Sequence, residues 1–293
     1  MFKTFTAMFV LTLSVPSSAA TGLVWNWDGD ITRQYLISST TVLIYPEVMQ
    51  GEGTGELHFI EMETTVLTTC AATSVVGKKA YDVSCVIDDL GLRGTPQRGE
   101  NIEKAVTVLE TVAAAAKGAR VVSRFGRDGR VTKIDLRDLD LSKSWMSINA
   151  NTLQIVLGHA FGGLDLQLPK DGDDKGKGKW TQREAKPMSL AIEEFTLGMI
   201  KMEHTLASSG VDSTTIHTES HGTLTPGSES EGASAGLTYD ATMTGNAIFD
   251  TSKGALVQRV FDVSGSLTAG SKGANGASRP YVHHLELKLE AAE

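Results

Sequence analysis

The chain has 293 residues, with 27 Lys and Arg against 35 Asp and Glu, and a net charge of −8. This acidity argues against nucleic acid as a partner, because phosphate contacts require a basic patch and the sequence shows none. The length suffices for one large β domain or two packed half-domains. The 30 glycines are typical of a protein with many turns.

The first twenty residues are typical of a secretory signal peptide. Lys3 supplies a positive charge, residues 5–15 form a short apolar run, and residues 16–20 end in small side chains that suit signal peptidase. The run is too short to span a bilayer as a helix, and no other stretch is apolar for long enough. We therefore expect residues 1–20 to be removed and an exported protein, periplasmic or extracellular, with no transmembrane segment.

The opening strands are predicted from alternation of apolar and polar side chains. They lie at 31–37 and 41–45, followed by a long run at 56–70 that returns through 79–90. Strands at 119–126 and 130–136 then form a hairpin closed by Asp128-Gly129, a strong turn signal.

Two cysteines in an exported chain indicate a structural disulfide. Cys70 ends one strand-like run, Cys85 lies in the next, and Gly77-Lys78 midway forms a plausible two-residue turn. Joining the cysteines also predicts two cross-strand pairs, Thr68 with Ile87 and Val66 with Asp89, and points both sulfurs inward. In a strict two-residue hairpin this pair is hydrogen-bonded, with Cα atoms about 5.5 Å apart, unless a bulge changes the parity.

Two segments have the three- and four-residue apolar spacing of a helix. The first spans 102–117, with Asn101 as N-cap and Gly118 after its end. Its predicted apolar face comprises Ile102, Ala105, Val106, Leu109, Val112, Ala113 and Ala116. The second helix is predicted at 151–162, with Leu157 and Phe161 on its apolar face.

The second half of the chain returns to strands after a polar loop at 170–179. We predict strands at 189–195, 198–207 and 212–223, then a closing meander at 238–250, 255–268 and 279–290. In the last strand Leu285, Leu287 and Leu289 alternate with charged residues, which predicts a half-buried strand.

A turn motif occurs twice, each time with an aromatic, a glycine and an aliphatic residue. Phe125 and Gly129 form the first copy, and Phe249 and Gly254 form the second. The glycines suit a positive φ in a hairpin turn. We interpret the chain as α+β and mainly antiparallel β. It would have an N-terminal half at 21–168 with two helices and a C-terminal half at 169–293. The halves would form two similar curved sheets or one large one, within separate units or one continuous domain.

Residues 168–290 resemble an uncharacterised group of secreted bacterial β-rich proteins. The resemblance rests on Leu168-Pro169, on Gly178-Lys-Trp180, and on the Phe-x-x-x-x-Gly-x-Leu turn that begins at Phe249. The Lys- and Gly-rich insertion before Trp180 departs from that pattern. The resemblance implies a β-rich fold and carries no established activity.

The histidines are the first candidates for chemistry. His217, Glu219 and His221 share one face of a strand, but the two histidines lie roughly 13 Å apart, too far to bind one zinc ion on an unbent strand. His217 with Glu219 and a third ligand remains geometrically possible. His204 and His283 sit among apolar residues, where a core histidine with satisfied hydrogen bonds is the commoner explanation.

Other motifs do not meet the requirements of their chemistry. The loop at 171–176 places Lys175 where a calcium loop needs an oxygen ligand, and Asp135, Asp138 and Asp140 are interpreted as a solvated turn rather than a calcium site. The Gly51-x-Gly-x-Gly55 pattern precedes a strand rather than a helix, and no Gly-x-Ser-x-Gly elbow exists. Glu193 and Glu194 point to opposite strand faces. We expect no catalytic residue, cofactor or metal.

Trp25 and Trp27, separated by one residue, share a face if extended. They could form a binding surface, but anchoring of the amino terminus to the core is favoured. The leading functional hypothesis is binding of a lipid or other hydrophobic ligand in the cell envelope, because a sheet curved around helices can enclose an apolar cavity. An envelope scaffold that contacts another protein and an unrecognised hydrolase are the alternatives.

Overall fold

A computed structural model describes residues 23–28, 31–43, 59–76, 80–96, 101–137, 157, 161, 164–169, 178–184, 200–224, 237–269 and 278–290. The predicted signal peptide, the strand predicted at 189–195, the loop at 171–176 and the glycines at 51–55 lie outside the described residues.

The described residues form one antiparallel sheet of eleven strands in the order β5-β4-β3-β2-β1-β11-β10-β9-β8-β7-β6. The first half of the chain contributes β1 (Thr32–Leu43), β2 (Phe59–Val76), β3 (Ala80–Pro96), β4 (Arg120–Gly126) and β5 (Val131–Arg137). The second half contributes β6 (Lys179–Glu184), β7 (Ile200–Ser209), β8 (Ser213–Leu224), β9 (Leu237–Asp250), β10 (Ala255–Ala269) and β11 (Ser278–Glu290).

The two halves of the chain occupy opposite sides of this sheet. They meet where β1 pairs with β11, with Tyr35 opposite Leu289 and Ile37 opposite Leu287. One continuous sheet is therefore present rather than two. The two turn motifs do not hold matching places, since β4 is the fourth strand from this seam and β9 is the third.

Within the described residues, each predicted strand falls in a strand of the structure, although β2 and β3 each continue six residues beyond the predicted end. Two places differ further. The segments predicted at 31–37 and 41–45 form one continuous strand, β1. Strand β6 lies partly in the predicted polar loop and was not predicted as a strand. Its alternation is real, because Trp180 and Gln182 are buried while Thr181 is exposed. Because one of the buried positions is a glutamine, a pattern based on hydropathy does not show the alternation.

Helix α1 (Ile102–Ala116) connects β3 to β4 and starts as predicted. The Asn101 side chain accepts a hydrogen bond from the Lys104 backbone N–H at 3.0 Å, and Gly118 follows the helix with φ +83°. The helix buries Ala105, Leu109, Val112 and Ala116. The predicted face was too wide: Ile102 and Val106 are 65% and 45% exposed, because a single narrow stripe faces the sheet. Of the second predicted helix, the described residues include Leu157 and Phe161, both buried.

The β2–β3 hairpin contains the predicted disulfide. Cys70 lies directly opposite Cys85 and is bonded to it, and both side chains are buried. Their Cα atoms are 3.9 Å apart, so the hydrogen-bonded spacing of about 5.5 Å does not apply. Thr68 faces Ile87 as predicted, but Val66 faces Leu90 rather than Asp89. An irregularity between Leu67 and Thr68 shifts the register by one residue.

One face of the sheet is apolar and buried, and the other is polar. The buried face includes Ile37, Val66, Val83, Ile87, Ile216, Phe249, Phe261, Val263, Leu285 and Leu287. The opposite face carries exposed ion pairs, among them Arg124 with Asp82 at 2.6 Å and Lys288 with Glu286 at 3.0 Å. Helix α1 covers part of the apolar face, since Val112 and Ala116 belong to its core. Among the described residues no helix has the length and apolar character needed to cross a membrane.

Candidate functional site

Residues 23–28, here called the strap, run across the apolar face near the amino terminus. Leu23, Trp25 and Trp27 are buried, with the two indoles fully so, while Val24 is 46% exposed. The alternation comes from an extended backbone, which places residues two apart on the same side. The tryptophans therefore anchor the strap in the core, the role favoured from the sequence.

The strap joins the two turn motifs. The Trp25 backbone N–H donates to the Arg127 carbonyl in the β4–β5 turn, and the Asn26 N–H donates to the Gly254 carbonyl in the β9–β10 turn. The Trp25 ring centroid lies 6.0 Å from that of Phe125 and 5.4 Å from that of Phe249. Both aromatic residues of the repeated motif thus pack on one indole.

This shared contact shows that the sheet is strongly curved. Strands β4 and β9 are separated by six strand spacings in the sheet order, about 29 Å in a flat sheet. Two rings that both lie within 6.0 Å of the Trp25 ring cannot be that far apart. The apolar face is therefore concave, and we call it the inner face.

A second segment, residues 164–169, crosses beside the strap. Its alternating residues Leu164, Leu166 and Leu168 are buried. The Leu166 carbonyl accepts a hydrogen bond from Trp25 Nε1 at 3.0 Å, and the Leu168 N–H donates to the Asp128 carbonyl at 2.6 Å. This crossing segment links the strap to the β4–β5 turn.

The same segment reaches the far half of the sheet through buried polar contacts. Arg259 Nη1 on β10 donates to the Asp165 carbonyl at 2.8 Å, and the Asp165 carboxylate accepts from the Val131 N–H at 3.0 Å. Trp180 Nε1 on β6 donates to the Gln167 carbonyl at 2.9 Å. Both sides of the curved sheet are thus tied to one segment.

His204 is a core histidine with satisfied hydrogen bonds, as the sequence favoured. It is fully buried on β7, with Nε2 3.0 Å from Gln182 Oε1 and Nδ1 2.9 Å from Thr218 Oγ1. Gln182 can only accept at Oε1, so Nε2 carries the proton and Nδ1 accepts from the threonine hydroxyl. Burial, aided by the charge of Arg259, lowers the pKa of His204 to about 3. This imidazole is neutral and is not poised to act as a general base near neutral pH.

Arg33, Tyr35 and Trp27 form a buried cluster on the inner face at the start of the central strand β1, here called the donor cluster. Arg33 and Tyr35 lie two residues apart on β1, and the Arg33 guanidinium carbon is 4.2 Å from the centroid of the Trp27 ring. Arg33 Nη2 donates to the carbonyls of Asn26 and Lys253. The guanidinium therefore also holds the strap and the β9–β10 turn.

Among the described residues, each member of the donor cluster has one buried polar atom that meets no partner at good hydrogen-bond geometry, although the Tyr35 hydroxyl and the Arg33 guanidinium are close enough to affect each other's pKa through a hydrogen bond. These atoms are Trp27 Nε1, Arg33 Nη1 and the Tyr35 hydroxyl, in side chains 0%, 5% and 0% exposed. Burial lowers the pKa of the Arg33 guanidinium, with Tyr35 and Asp250 opposing the shift. Burial also raises the pKa of Tyr35 to about 12 against the effect of Arg33. The tyrosine thus stays a neutral hydroxyl.

The remaining predicted candidates are dispersed. His217 lies on the outer face, with Nε2 3.1 Å from Glu219 Oε1 and Nδ1 2.9 Å from Asn246 Oδ1. Its hydrogen bonds to Asn246 and Glu219 raise its pKa. Over the described part of the chain, no group of three His, Cys, Asp or Glu side chains could hold a metal ion.

The structure does not describe the side chains of several other candidates. These are Asp135, Asp138, Asp140, Glu193, Glu194, His221 and His283. The turn residues Phe125, Gly129, Phe249 and Gly254 come together around the strap, although their meeting point was not predicted.

Sequence analysis did not single out the donor cluster. A signal was present, because Arg33 has the same strand parity as Tyr35 and Ile37 and so belongs to the buried face of β1. An arginine at an inward position needs a partner or a ligand.

No family model and no curated protein matches this chain. A solved structure of lipovitellin, determined for its lipid–protein interactions, aligns with 91% of this chain at 10% identity and a TM-score of 0.46. This chain spans only 26% of that chain's length.

Proposed function

We propose that the protein is exported to the cell envelope or beyond and binds a hydrophobic ligand on its concave inner face, without catalysing a reaction. The observation that carries this proposal is the curvature that lets Phe125 and Phe249, six strands apart, pack on Trp25. The buried disulfide supports an oxidising compartment.

The size of the inner face supports ligand binding. Eleven strands span about 50 Å across the sheet. Helix α1 has 15 residues, which makes it about 22 Å long and about 10 Å wide. Among the described elements, α1, the strap and the crossing segment are small beside such a face. Its side chains are nevertheless buried in the ligand-free protein, so a ligand would lie between them and what covers them. A concave apolar surface of this kind is the usual setting for an apolar ligand.

Native mass spectrometry of the protein purified from its own cell envelope tests this proposal. Lipid that co-purifies in stoichiometric amount supports it. A bare protein that also fails to bind N-phenyl-1-naphthylamine, a dye that fluoresces in apolar sites, contradicts it.

Two isosteric substitutions on β10 locate the binding face. Val263 is 2% exposed on the inner face, whereas Val260 lies on the outer face of the same strand. We expect Val263→Thr to weaken dye binding about fivefold or more, because it places a hydroxyl in an apolar surface. The matched Val260→Thr should bind the dye like the wild type. Thermal unfolding shows whether both variants are folded, and equal dye affinity in two folded variants would contradict an inner-face site.

An envelope scaffold is the second candidate, and exposed side chains on α1 favour it. Ile102 and Val106, one turn apart, are 65% and 45% exposed, which is the kind of apolar surface that a protein partner covers. The same mass spectrometry separates the two candidates, since a stoichiometric protein partner without lipid supports the scaffold. The hydrolase alternative gains no support from His204, the buried histidine described above.

A further inference from the structure

The unpartnered atoms of the donor cluster share one chemical property. Trp27 Nε1 and Arg33 Nη1 can only donate hydrogen bonds, and the Tyr35 hydroxyl can donate one. All three belong to side chains at least nine-tenths buried. A buried donor without an acceptor costs about 1–3 kcal/mol. The Tyr35 hydroxyl oxygen can accept from Arg33, but the hydroxyl proton and Trp27 Nε1–H then still lack an acceptor among the described residues, which indicates that one belongs there.

Among the described residues, no carboxylate contacts the positive charge of Arg33 directly. Arg33 Nη2 bonds to two backbone carbonyls, and the carboxylate that acts on Arg33 is Asp250. Asp250 is engaged elsewhere: its Oδ1 accepts from Ser252 Oγ and the Lys253 N–H, and its Oδ2 is 3.4 Å from Lys253 Nζ. A buried cation without a carboxylate on it favours an anionic ligand.

Water fits this cluster less well than an acid. A water molecule has two lone pairs and so accepts at most two hydrogen bonds, and it brings no charge. A carboxylate offers two oxygens with about four acceptor positions and can receive a guanidinium and two further donors together. It also neutralises Arg33.

The surroundings of the cluster are apolar in one direction. Along β1 the next inward residue after Tyr35 is Ile37, which lies opposite Leu287 of β11, and Leu287 lies opposite Arg259 of β10. Leu285 and Phe261 form the next pair on the inner face. An acyl chain whose acid lay at Arg33 would therefore run along aliphatic and aromatic side chains that are buried in the ligand-free protein, so it would take the place of what covers them.

We propose that Trp27, Arg33 and Tyr35 bind the acidic group of an amphiphilic ligand, with its hydrocarbon chain along the inner face. This inference rests on the proposed function and specifies the chemistry of the ligand. The acidic group is a carboxylate or a group with the same acceptor geometry. A small anion in solution has the same acceptor atoms and could occupy the cluster instead.

Tyr35→Phe tests the proposal on the full mature protein. Among the described residues the hydroxyl makes no hydrogen bond of good geometry, and the group it interacts with is Arg33, so its removal should change the unfolding temperature little. We expect dodecanoate affinity, measured by calorimetry, to fall by roughly tenfold or more, the effect of one hydrogen bond to a charged group. Affinity for 1-dodecanol should be the same in both proteins.

Tyr81→Phe is the matched control. Tyr81 is also buried, but its hydroxyl forms hydrogen bonds with Asp28 and Arg127 and affects Arg33 only through its charge. This variant should bind dodecanoate like the wild type. Trp27→Phe removes the indole N–H donor and keeps an aromatic ring, so it should lower dodecanoate affinity as Tyr35→Phe does. It is an independent test of the cluster if the Tyr35→Phe protein folds poorly.

The outcomes separate this inference from the proposed function. If the wild type binds dodecanoate and 1-dodecanol with equal affinity, and Tyr35→Phe changes neither affinity, the acid site is overturned. The proposal of hydrophobic binding then still stands. Failure of both ligands to bind overturns the proposed function and, with it, the acid site. If acetate binds as tightly as dodecanoate and responds to Tyr35→Phe, the cluster holds a free anion and the amphiphile is excluded.

Discussion

At the scale of single residues, Gly129 and Gly254 each meet two requirements. Their φ angles of +80° and +58° suit the hairpin turns. Each also lies directly under the strap. A Cβ on Gly129 would be 2.1 Å from Trp25 Nε1, and a Cβ on Gly254 would be 2.6 Å from the Asn26 Cβ. The glycine of each turn motif therefore provides the space in which the strap lies.

Alanine substitutions separate these two requirements. Gly118 has φ +83°, and a Cβ added to it would meet nothing within 4 Å. Gly118→Ala should therefore lower the free energy of unfolding only by the cost of an alanine at positive φ, about 1–2 kcal/mol. Gly129→Ala should lose about 3 kcal/mol or more, because it also displaces Trp25 from the Leu166 carbonyl. Urea unfolding measures both, and equal losses would show that the strap does not depend on the missing Cβ.

At the scale of elements, the strands with an apolar face and helix α1 were predictable because their periodicity and caps are local properties. The irregularity between Leu67 and Thr68 was not, since a register shift depends on how two strands pair. Strand β6 was missed for a different reason. Its inward Gln182 accepts a hydrogen bond from His204 on another strand, and no local pattern in the sequence shows that partner.

The attachment of β6 should depend on pH through His204. Its folded-state pKa of about 3 lies below the ordinary 6.5, so the unfolded chain binds a proton that the folded protein does not. Stability is then fully present above pH 6.5 and falls by about 1.4 kcal/mol per pH unit as the pH drops toward 3. Between pH 6.5 and 5 the loss is about 2 kcal/mol.

Urea unfolding at these two pH values checks this expectation. His204→Asn should be less stable at pH 6.5 but should lose about 2 kcal/mol less than the wild type on acidification. His284→Asn, at a histidine that bonds to Asp262 on the outer face, serves as the control and should retain the wild-type loss. A wild type whose stability is the same at both pH values would contradict the assignment.

At the scale of the whole molecule, the inner face of a sheet could be predicted from alternation, but its curvature could not. Curvature follows from contacts between Trp25 and two turns that are distant in the chain. The donor cluster depends on the same arrangement, since Trp27 reaches Arg33 only because the strap lies across β1. Sequence patterns indicate which side chains point inward and do not show which of them meet.

Trp25→Ala should loosen both halves of the sheet together. The indole contacts Phe125 in one half and Phe249 in the other, so its loss should cost about 3–5 kcal/mol. Amide hydrogen exchange should then accelerate at both turn motifs. Trp180→Ala removes a buried indole of β6 that contacts neither turn motif directly and reaches the β4–β5 turn only through its hydrogen bond to Gln167. It should therefore affect β6 and β7 most and accelerate exchange at the β4–β5 turn less than Trp25→Ala does. Acceleration at only one turn in Trp25→Ala would contradict the joining role of the strap.

The seam between β1 and β11 has a consequence for the order in which the sheet can be completed. Gln34 pairs with Glu290, so the middle of the sheet joins the first and the last of the eleven strands to be synthesised. Until β11 has emerged, one edge of β1 has no strand to pair with and its backbone N–H and C=O groups stay open. The sheet can therefore close only after β11 has been made, which suits the proposed export of an unfolded chain across a membrane.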